Sequence, residues 1–378
     1  MSELIAAASL YTARKWGPDR VMGFSPIPAM SFFSYAAGSR FLQLFGGVNM
    51  SFYDWYADLP TSFPEIWGDQ TDVCESADWY NSKFIVSMAA NLNMTRTPDV
   101  HFVAEARTEG TKFVVLAPDF SQIAKYCDEW IPIQAGQDCA LWMAVNHVIL
   151  KEFYVDRQVP YFLDYMKRYT DCPFLVELVP DGKGYRSRQL LRANRLARYK
   201  DVEHGDWKML VLDAKSGEPR MPKGQVGFRW GPEKGKWNLS QEDGLDDSPI
   251  DAALSLIDKS DAVVQVEFDD FANGVPEAAT PTVARGVPVR RIATAGGEVL
   301  VTTAFDLLIA QCGVGRGLEG AYASSYDDEN ALFTPAWQER FTGIGRATAI
   351  RFAREFARNA ELTQGRSMGI VGASANHW

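Results

Sequence analysis

Residues 84–119 read FIVSMAANLNMTRTPDVHFVAEARTEGTKFVVLAPD, and this stretch decides the fold. Phe84–Ala89 is an apolar run of strand length, followed by a polar turn over Asn91–Thr97. Thr97-Pro98-Asp99 then offers an N-cap, a proline at the first helical position and a first-turn acid, which predicts a helix ending at Gly110. Lys112–Ala117 is a second apolar run, stopped by Pro118-Asp119. Strand, crossover helix and strand in that order argue for an α/β fold with a doubly wound, mostly parallel sheet.

The pattern continues downstream. Ser121–Cys127 reads as a helix, Trp130–Ile133 as a short strand, Gln134–Asp138 as a loop and Cys139–Phe153 as a long apolar helix. Ligands of such sheets bind at the carboxyl ends of the strands. Here those ends are Asn91–Thr97, Pro118-Asp119 and Gln134–Asp138. Upstream, Glu3–Trp16 reads as a helix broken by Gly17-Pro18-Asp19, and Arg20–Phe24 as a short strand. Ser25-Pro26-Ile27-Pro28 starts a second helix that Gly46-Gly47 stops, and Phe52–Trp79 is an aromatic-rich ordered loop. Gly182–Pro249, rich in Arg, Lys, Gly, Pro and Asp, reads as a surface excursion. Strand-like Ala262–Phe268 and Val287–Thr303 resume the order, Thr334-Pro335 caps a helix, Ala347–Asn359 is another, and Ser367–Val371 is a strand.

Composition narrows the class. The 378 residues are on the order of two to three average domains. Acids outnumber bases, 48 to 38, for a formal charge of −10, so nothing implies a general affinity for nucleic acid. No apolar run reaches the roughly 18 residues of a membrane span, and Ala140–Leu150 is interrupted by Asn146 and His147. The five cysteines form no C-x-x-C pair, so neither a zinc site nor a self-contained iron–sulfur cluster is legible.

Several catalytic signatures fail. The four histidines form no H-E-x-x-H, and Gly372-Ala373-Ser374 is no nucleophile elbow because Asn376 stands where its second glycine belongs. Gly313-Val314-Gly315-Arg316-Gly317 lacks a βαβ context, and Asp327-Asp328-Glu329 reads as a solvated loop. What remains lies at the strand ends. A carboxylate such as Asp119 or Asp138 can accept two parallel hydrogen bonds from N1–H and the exocyclic amine of guanine, which adenine cannot offer. Backbone N–H groups of the turn Ala135-Gly136-Gln137 suit a pyrophosphate. Helix capping is the plainer reading of each aspartate. The residues alone reach a nucleotide-like ligand at a doubly wound sheet and no reaction.

A resemblance carries further. Gly68-Asp69-Gln70-Thr71-Asp72-Val73-Cys74-Glu75-Ser76-Ala77-Asp78-Trp79-Tyr80-Asn81-Ser82 is similar to the catalytic (alpha) subunits of respiratory, membrane-bound nitrate reductases. So are Gly17-Pro18-Asp19-Arg20-Val21, Gly23-Phe24-Ser25-Pro26-Ile27-Pro28-Ala29-Met30-Ser31, Ser51-Phe52-Tyr53-Asp54-Trp55-Tyr56 and Thr95-Arg96-Thr97-Pro98-Asp99. Tyr326-Asp327-Asp328, Thr334-Pro335-Ala336-Trp337, and Gly365-Arg366-Ser367-Met368 through Asn376-His377-Trp378 match as well. The wider family is the molybdopterin oxidoreductases of the dimethyl-sulfoxide-reductase type.

The resemblance implies a molybdenum bis(molybdopterin guanine dinucleotide) cofactor, with Asp72 as the protein ligand of the metal. A hard, high-valent oxo-metal suits a carboxylate oxygen. It implies dinucleotide contacts at Asn91, Asp119, Gly136 and Asp138, a pyrophosphate partner in Arg96, and Asn376 and His377 beside the pterin and the substrate pocket. The implied reaction is reduction of nitrate to nitrite by oxygen-atom transfer, with Asp72 and His377 as the catalytic residues. The implied partners are an iron–sulfur beta subunit and a haem b membrane gamma subunit, at the cytoplasmic face of the cell membrane or its outer face.

The implied division is a molybdopterin-binding part with the metal-ligand loop (1–80), a dinucleotide-binding α/β domain (81–181), an irregular surface insertion with connecting strands (182–285) and a return to the first domain (286–378). Two departures stand out. The family's catalytic subunits are far longer and carry a [4Fe-4S] cluster whose ligands are not found here, so the chain is expected to be a central piece, Met1 an internal start, and the piece inactive alone. Cys74 also stands where the family has proline. The rival readings are a nitrite oxidoreductase or another aspartate-ligated relative, and a truncated chain without cofactor.

Overall fold

The computed structural model describes residues 1–24, 32–50, 75–231, 238–269 and 282–372. Asp72, Cys74, Asn376 and His377 lie outside the described residues. The chain divides into two units, residues 1–78 with 371–378, and residues 79–370.

In the first unit the alanine-rich helix Ser2–Trp16 ends where Gly17 turns the chain. Strand β1 (Met22–Gly23), the helix Phe32–Phe45 and strand β2 (Val48–Asn49) follow. The two strands pair in parallel, Met22 opposite Val48 and Gly23 opposite Asn49.

The second unit opens with the predicted parallel sheet. Strands β3 (Phe84–Met88), β4 (Lys112–Ala117) and β5 (Glu129–Pro132) are parallel neighbours. Every residue of β3 is buried, as are Phe113 through Ala117 of β4. A strand covered on both faces reads as a continuous apolar run, which is why these two were legible. Ile85, Phe113 and Val115 pack with Leu92, Val103 and Ile123 in one core cluster, with Val103 supplied by the crossover helix Val100–Thr108.

The connections differ from expectation in detail. Thr97 does not cap the crossover helix; its hydroxyl donates to the Asn93 carbonyl at 3.1 Å. The expected turn holds a short helix, Leu92–Thr95, then a 3₁₀ turn, Thr97–Asp99, before the helix proper begins. The segment read as a helix over Ser121–Cys127 is a 3₁₀ turn, Gln122–Tyr126. The long apolar helix runs Asp138–Ile149 and passes into a π-helical turn, Leu150–Val155.

After the helix Pro160–Tyr169 a second sheet forms, of which the sequence announced only the strand-like runs Ala262–Phe268 and Val287–Thr303. Strands β6 (Leu175–Asp181) and β7 (Gly184–Leu190) are followed by a two-stranded ladder of β8 (Val211–Leu212) and β9 (Pro219–Arg220). Strands β10 (Ala262–Asp269), β11 (Thr282–Thr294) and β12 (Gly297–Thr303) then close with β6 and β7 into a barrel, in the order β10-β11-β12-β6-β7. Its pairings are antiparallel except β10 with β7.

The segment read as a surface excursion is instead built around a core. Leu191, Tyr199, Leu210, Leu212, Met221 and Leu256 are fully buried in one cluster with Ile292 and Val301 of the barrel. The basic side chains that gave the stretch its polar look lie outside that core. Arg198 reaches Asp246 at 2.6 Å, and Arg195 pairs with Glu177.

The second unit ends on helices Ala304–Gln311, Pro335–Thr342 and Arg346–Thr363, and strand β13 (Ser367–Val371) joins the first sheet beside β3. Thr334 caps the helix Pro335–Thr342 as expected, its hydroxyl accepting from the Trp337 N–H at 3.0 Å.

Candidate functional site

The exits of β3, β4 and β5 lie side by side, because parallel neighbours end at the same edge of a sheet about 4.8 Å apart. Three short loops therefore converge there. They carry five of the residues expected to contact a dinucleotide: Asn91 and Arg96 after β3, Asp119 after β4, Gly136 and Asp138 after β5.

Asn91 is half-buried and ties two exits together. Its Nδ2 donates to Gln122 Oε1 at 2.7 Å, and its Oδ1 accepts from the Ile123 N–H at 3.2 Å. Both polar ends of the side chain thus hold the segment that leaves β4. The fold gives Asn91 a bracing task that the sequence did not suggest. Arg96 is exposed at the junction of the short helix and the 3₁₀ turn. In the short helix before it, Asn93 has a buried Oδ1 with no hydrogen-bond partner among the described residues. A buried acceptor left unpaired costs free energy, and a donor on a bound group would relieve it.

Asp119 is exposed at the tip of the β4 exit. Beside it stands Phe120, 63% exposed, with its ring edge-on to Trp130 at a centroid separation of 5.3 Å. Trp130 is itself fixed, donating from Nε1 to the Ala117 carbonyl at 3.0 Å. An exposed aromatic ring next to a carboxylate is a platform on which a base can stack while its edge is read. Sequence reasoning passed over Phe120; its signal was a large apolar residue directly after Pro118-Asp119, where a loop should be polar.

The β5 exit forms a tight turn in which the Gln137 N–H donates to the Gln134 carbonyl at 3.2 Å. Gly136 holds φ at +78°, a conformation that side chains with a Cβ rarely adopt. A Cβ placed there would meet nothing within 4 Å, so the turn faces open space. The turn leads directly into the helix Asp138–Ile149, with Asp138 as the acid of its first turn. Asp138 is half-buried, and desolvation raises its carboxyl pKa. Among the described residues neither Asp119 nor Asp138 forms an ion pair.

From outside, the turn is held by the N–H of Gln134, which donates to the Thr342 carbonyl at 2.9 Å. Thr342 is the last residue of the helix Pro335–Thr342, and Gly343, at φ +73°, turns the chain away from it. Thr342 and Gln338 belonged to no expected site.

The donor set suits the base end of a guanine nucleotide. It offers two carboxylates without cations, an orphaned amide oxygen and an exposed ring, all acceptors or stacking surface for a base rich in N–H groups. The fit to phosphate is carried by the Gly136 turn and the N-terminus of the helix Asp138–Ile149, and Asp138 itself opposes an anion there. Among the described residues no cluster of three or more His, Cys, Asp or Glu side chains could hold a metal ion. Among them, too, no helix is long and apolar enough to cross a membrane.

Comparison with known proteins extends this geometry. The family model described as Molybdopterin oxidoreductase matches residues 2–378. The chain is 48% identical over 386 residues to the respiratory nitrate reductase 1 alpha chain of Escherichia coli (strain K12), covering 100% of this chain and 31% of that protein. It is 47% identical over 376 residues to the nitrate reductase alpha chain of Bacillus subtilis (strain 168), covering 100% and 30%. It is also 47% identical over 380 residues to the nitrate reductase alpha subunit of Mycobacterium tuberculosis (strain CDC 1551 / Oshkosh), again covering 100% and 30%. The chain spans under a third of the length of each of these relatives.

Proposed function

The chain belongs to the molybdopterin oxidoreductase family, and from that premise we propose that it is part of the catalytic subunit of a respiratory nitrate reductase. The observation that carries this reading is the 48% identity to a respiratory nitrate reductase alpha chain along the whole of this chain. A molybdopterin cofactor follows from the family, and its guanine dinucleotide form is part of the proposal. When bound, the cofactor supplies a molybdenum that exchanges an oxygen atom with substrate, here nitrate going to nitrite.

The chain's own residues bind and orient. Asp119 and Asp138 present carboxylates to the N–H edge of guanine, with Phe120 as the stacking face. Partial burial strengthens the hydrogen bonds that Asp138 accepts, and hydrogen bonds to a carboxylate are the strong kind at both residues. Asn91 acts one step back, holding the β3 and β4 exits at a fixed separation through Gln122 and Ile123. The Gly136 turn admits a phosphate close to the backbone. Asp72, Asn376 and His377 keep the roles that the resemblance implies: metal ligand, pterin neighbour and substrate-pocket side chain.

The iron–sulfur beta subunit, the haem b membrane subunit, a [4Fe-4S] cluster elsewhere in the longer polypeptide, and a place at the cytoplasmic face of the membrane belong to the same proposal. The test is nitrate turnover by the full-length assembled enzyme with a reduced dye as donor. Asp72→Ala should abolish turnover while subunit assembly survives. Turnover at the wild-type rate in that variant would remove Asp72 from the account.

A further inference from the structure

We infer that Thr342 is a positioning residue for the turn Gln134–Asp138, acting through the end of the helix Pro335–Thr342. The inference rests on the reading of that turn as a nucleotide contact. Its starting point is the anchoring bond, Gln134 N–H to Thr342 carbonyl, 2.9 Å. The last carbonyls of a helix have no partner within it, so helix ends fray unless something holds them. A turn anchored to a frayed end would move with it.

The Thr342 side chain holds this end. It is 1% exposed, and its hydroxyl donates to Gln338 Oε1 at 2.5 Å while accepting from the Ile344 N–H at 3.0 Å. Gln338, fully buried, donates from Nε2 to the carbonyls of Ile344 at 2.8 Å and Pro335 at 3.0 Å. One amide and one hydroxyl therefore close the helix end and the residue beyond Gly343 into a single hydrogen-bonded unit. The Thr342 carbonyl is the part of that unit turned toward β5. A Cβ on Gly343 would lie 3.9 Å from Gln134 Cγ, so the helix end and the turn are in close contact.

Removing only the hydroxyl leaves Gln338 Oε1 and the Ile344 N–H unpaired in the interior. The helix end must then rearrange to find new partners, and the acceptor for Gln134 moves with it. Partners one shell removed from a bound group commonly change its affinity by roughly ten- to a hundredfold.

The experiment uses the full-length, cofactor-loaded protein with Thr342→Val, which keeps the shape and loses the hydroxyl, and Thr342→Ser, which keeps the hydroxyl. Retention of guanine and molybdenum after extended dilution is measured together with hydrogen exchange at the Gln134 amide. The expected result is roughly tenfold faster cofactor loss and faster Gln134 exchange in Thr342→Val, with Thr342→Ser close to wild type. Should Thr342→Val fail to fold, Gln338→Met removes the same acceptor from the other side and is expected to behave likewise. A variant that lowers the melting temperature yet retains cofactor as wild type does would overturn the inference, and so would equal loss in Thr342→Ser. A wild-type protein that carries no guanine would overturn the nucleotide reading itself, and the inference with it.

Discussion

Asn91 Nδ2 lies 2.7 Å from Gln122 Oε1, so a side chain leaving one strand of the parallel sheet grips the segment leaving the next. The Ile123 N–H completes the clasp on Asn91 Oδ1. A single amide side chain therefore ties together two loops at the candidate site.

Replacing Asn91 by Ala removes both bonds and leaves the Ile123 N–H without its partner. The expected cost is about 1–2 kcal/mol of folding stability, read by chemical denaturation. Asn91→Asp keeps an acceptor for Ile123 and loses the donor to Gln122, and is expected to fall between wild type and Asn91→Ala. Equal stability of all three proteins would show that the clasp holds nothing.

Asp138 gives a prediction in which stability and binding move apart. Desolvation raises its carboxyl pKa in the folded state, so folding favours the protonated form. Such a group contributes most at low pH, and its contribution is lost as pH rises through the folded value. At neutral pH the desolvated carboxylate is then a cost that bound guanine would offset. Asp138→Asn should raise the melting temperature of the cofactor-free protein at pH 7, leave it nearly unchanged at pH 3, and lower guanine retention. A variant less stable at pH 7 would show that the carboxylate is already satisfied without a ligand.

His147 sets an acid limit. It is buried, its Nδ1 lies 2.7 Å from the Cys312 carbonyl, and burial pushes its pKa down to about 4 from an ordinary 6.5. Between those values the unfolded chain binds a proton that the folded chain refuses. Stability therefore falls as pH drops from 6.5 toward 4, by at most about 1.4 kcal/mol per pH unit from this residue. Denaturation midpoints across that window should show the slope in wild type and a shallower one in His147→Gln. Identical slopes would place the titration elsewhere.

The sequence disclosed the parallel sheet because β3 and β4 are buried on both faces and read as unbroken apolar runs, Phe84–Met88 and Phe113–Ala117. It disclosed the loops at the strand exits for the same reason, since exits follow from strands. The barrel stayed hidden. Its closure pairs Val266 with Tyr185 across a long sequence separation, and Arg186 through Gln189 of β7 are all exposed, so no alternation marks that strand. The core around Leu191, Tyr199 and Leu256 was missed because it gathers single residues from 3₁₀ turns, from loop positions such as Leu191, Leu210 and Leu256, and from scattered strands, which leave no period to find. At the candidate site, the positions of Asp119 and Asp138 beyond the β4 and β5 strands were legible from the strand pattern. The bracing role of Asn91 and the anchoring role of Thr342 were not, because each depends on a partner 31 or more residues away that only the fold brings near.

The central claim is that this chain builds the guanine-binding floor of a molybdenum cofactor site. Its most direct test is the molybdenum and guanine content of the full-length assembled protein, in wild type and in the double variant Asp119→Asn with Asp138→Asn. The account predicts both in the wild type and a marked loss of both in the double variant. Wild-type content retained without the two carboxylates, or a wild-type protein with neither metal nor guanine, would contradict it.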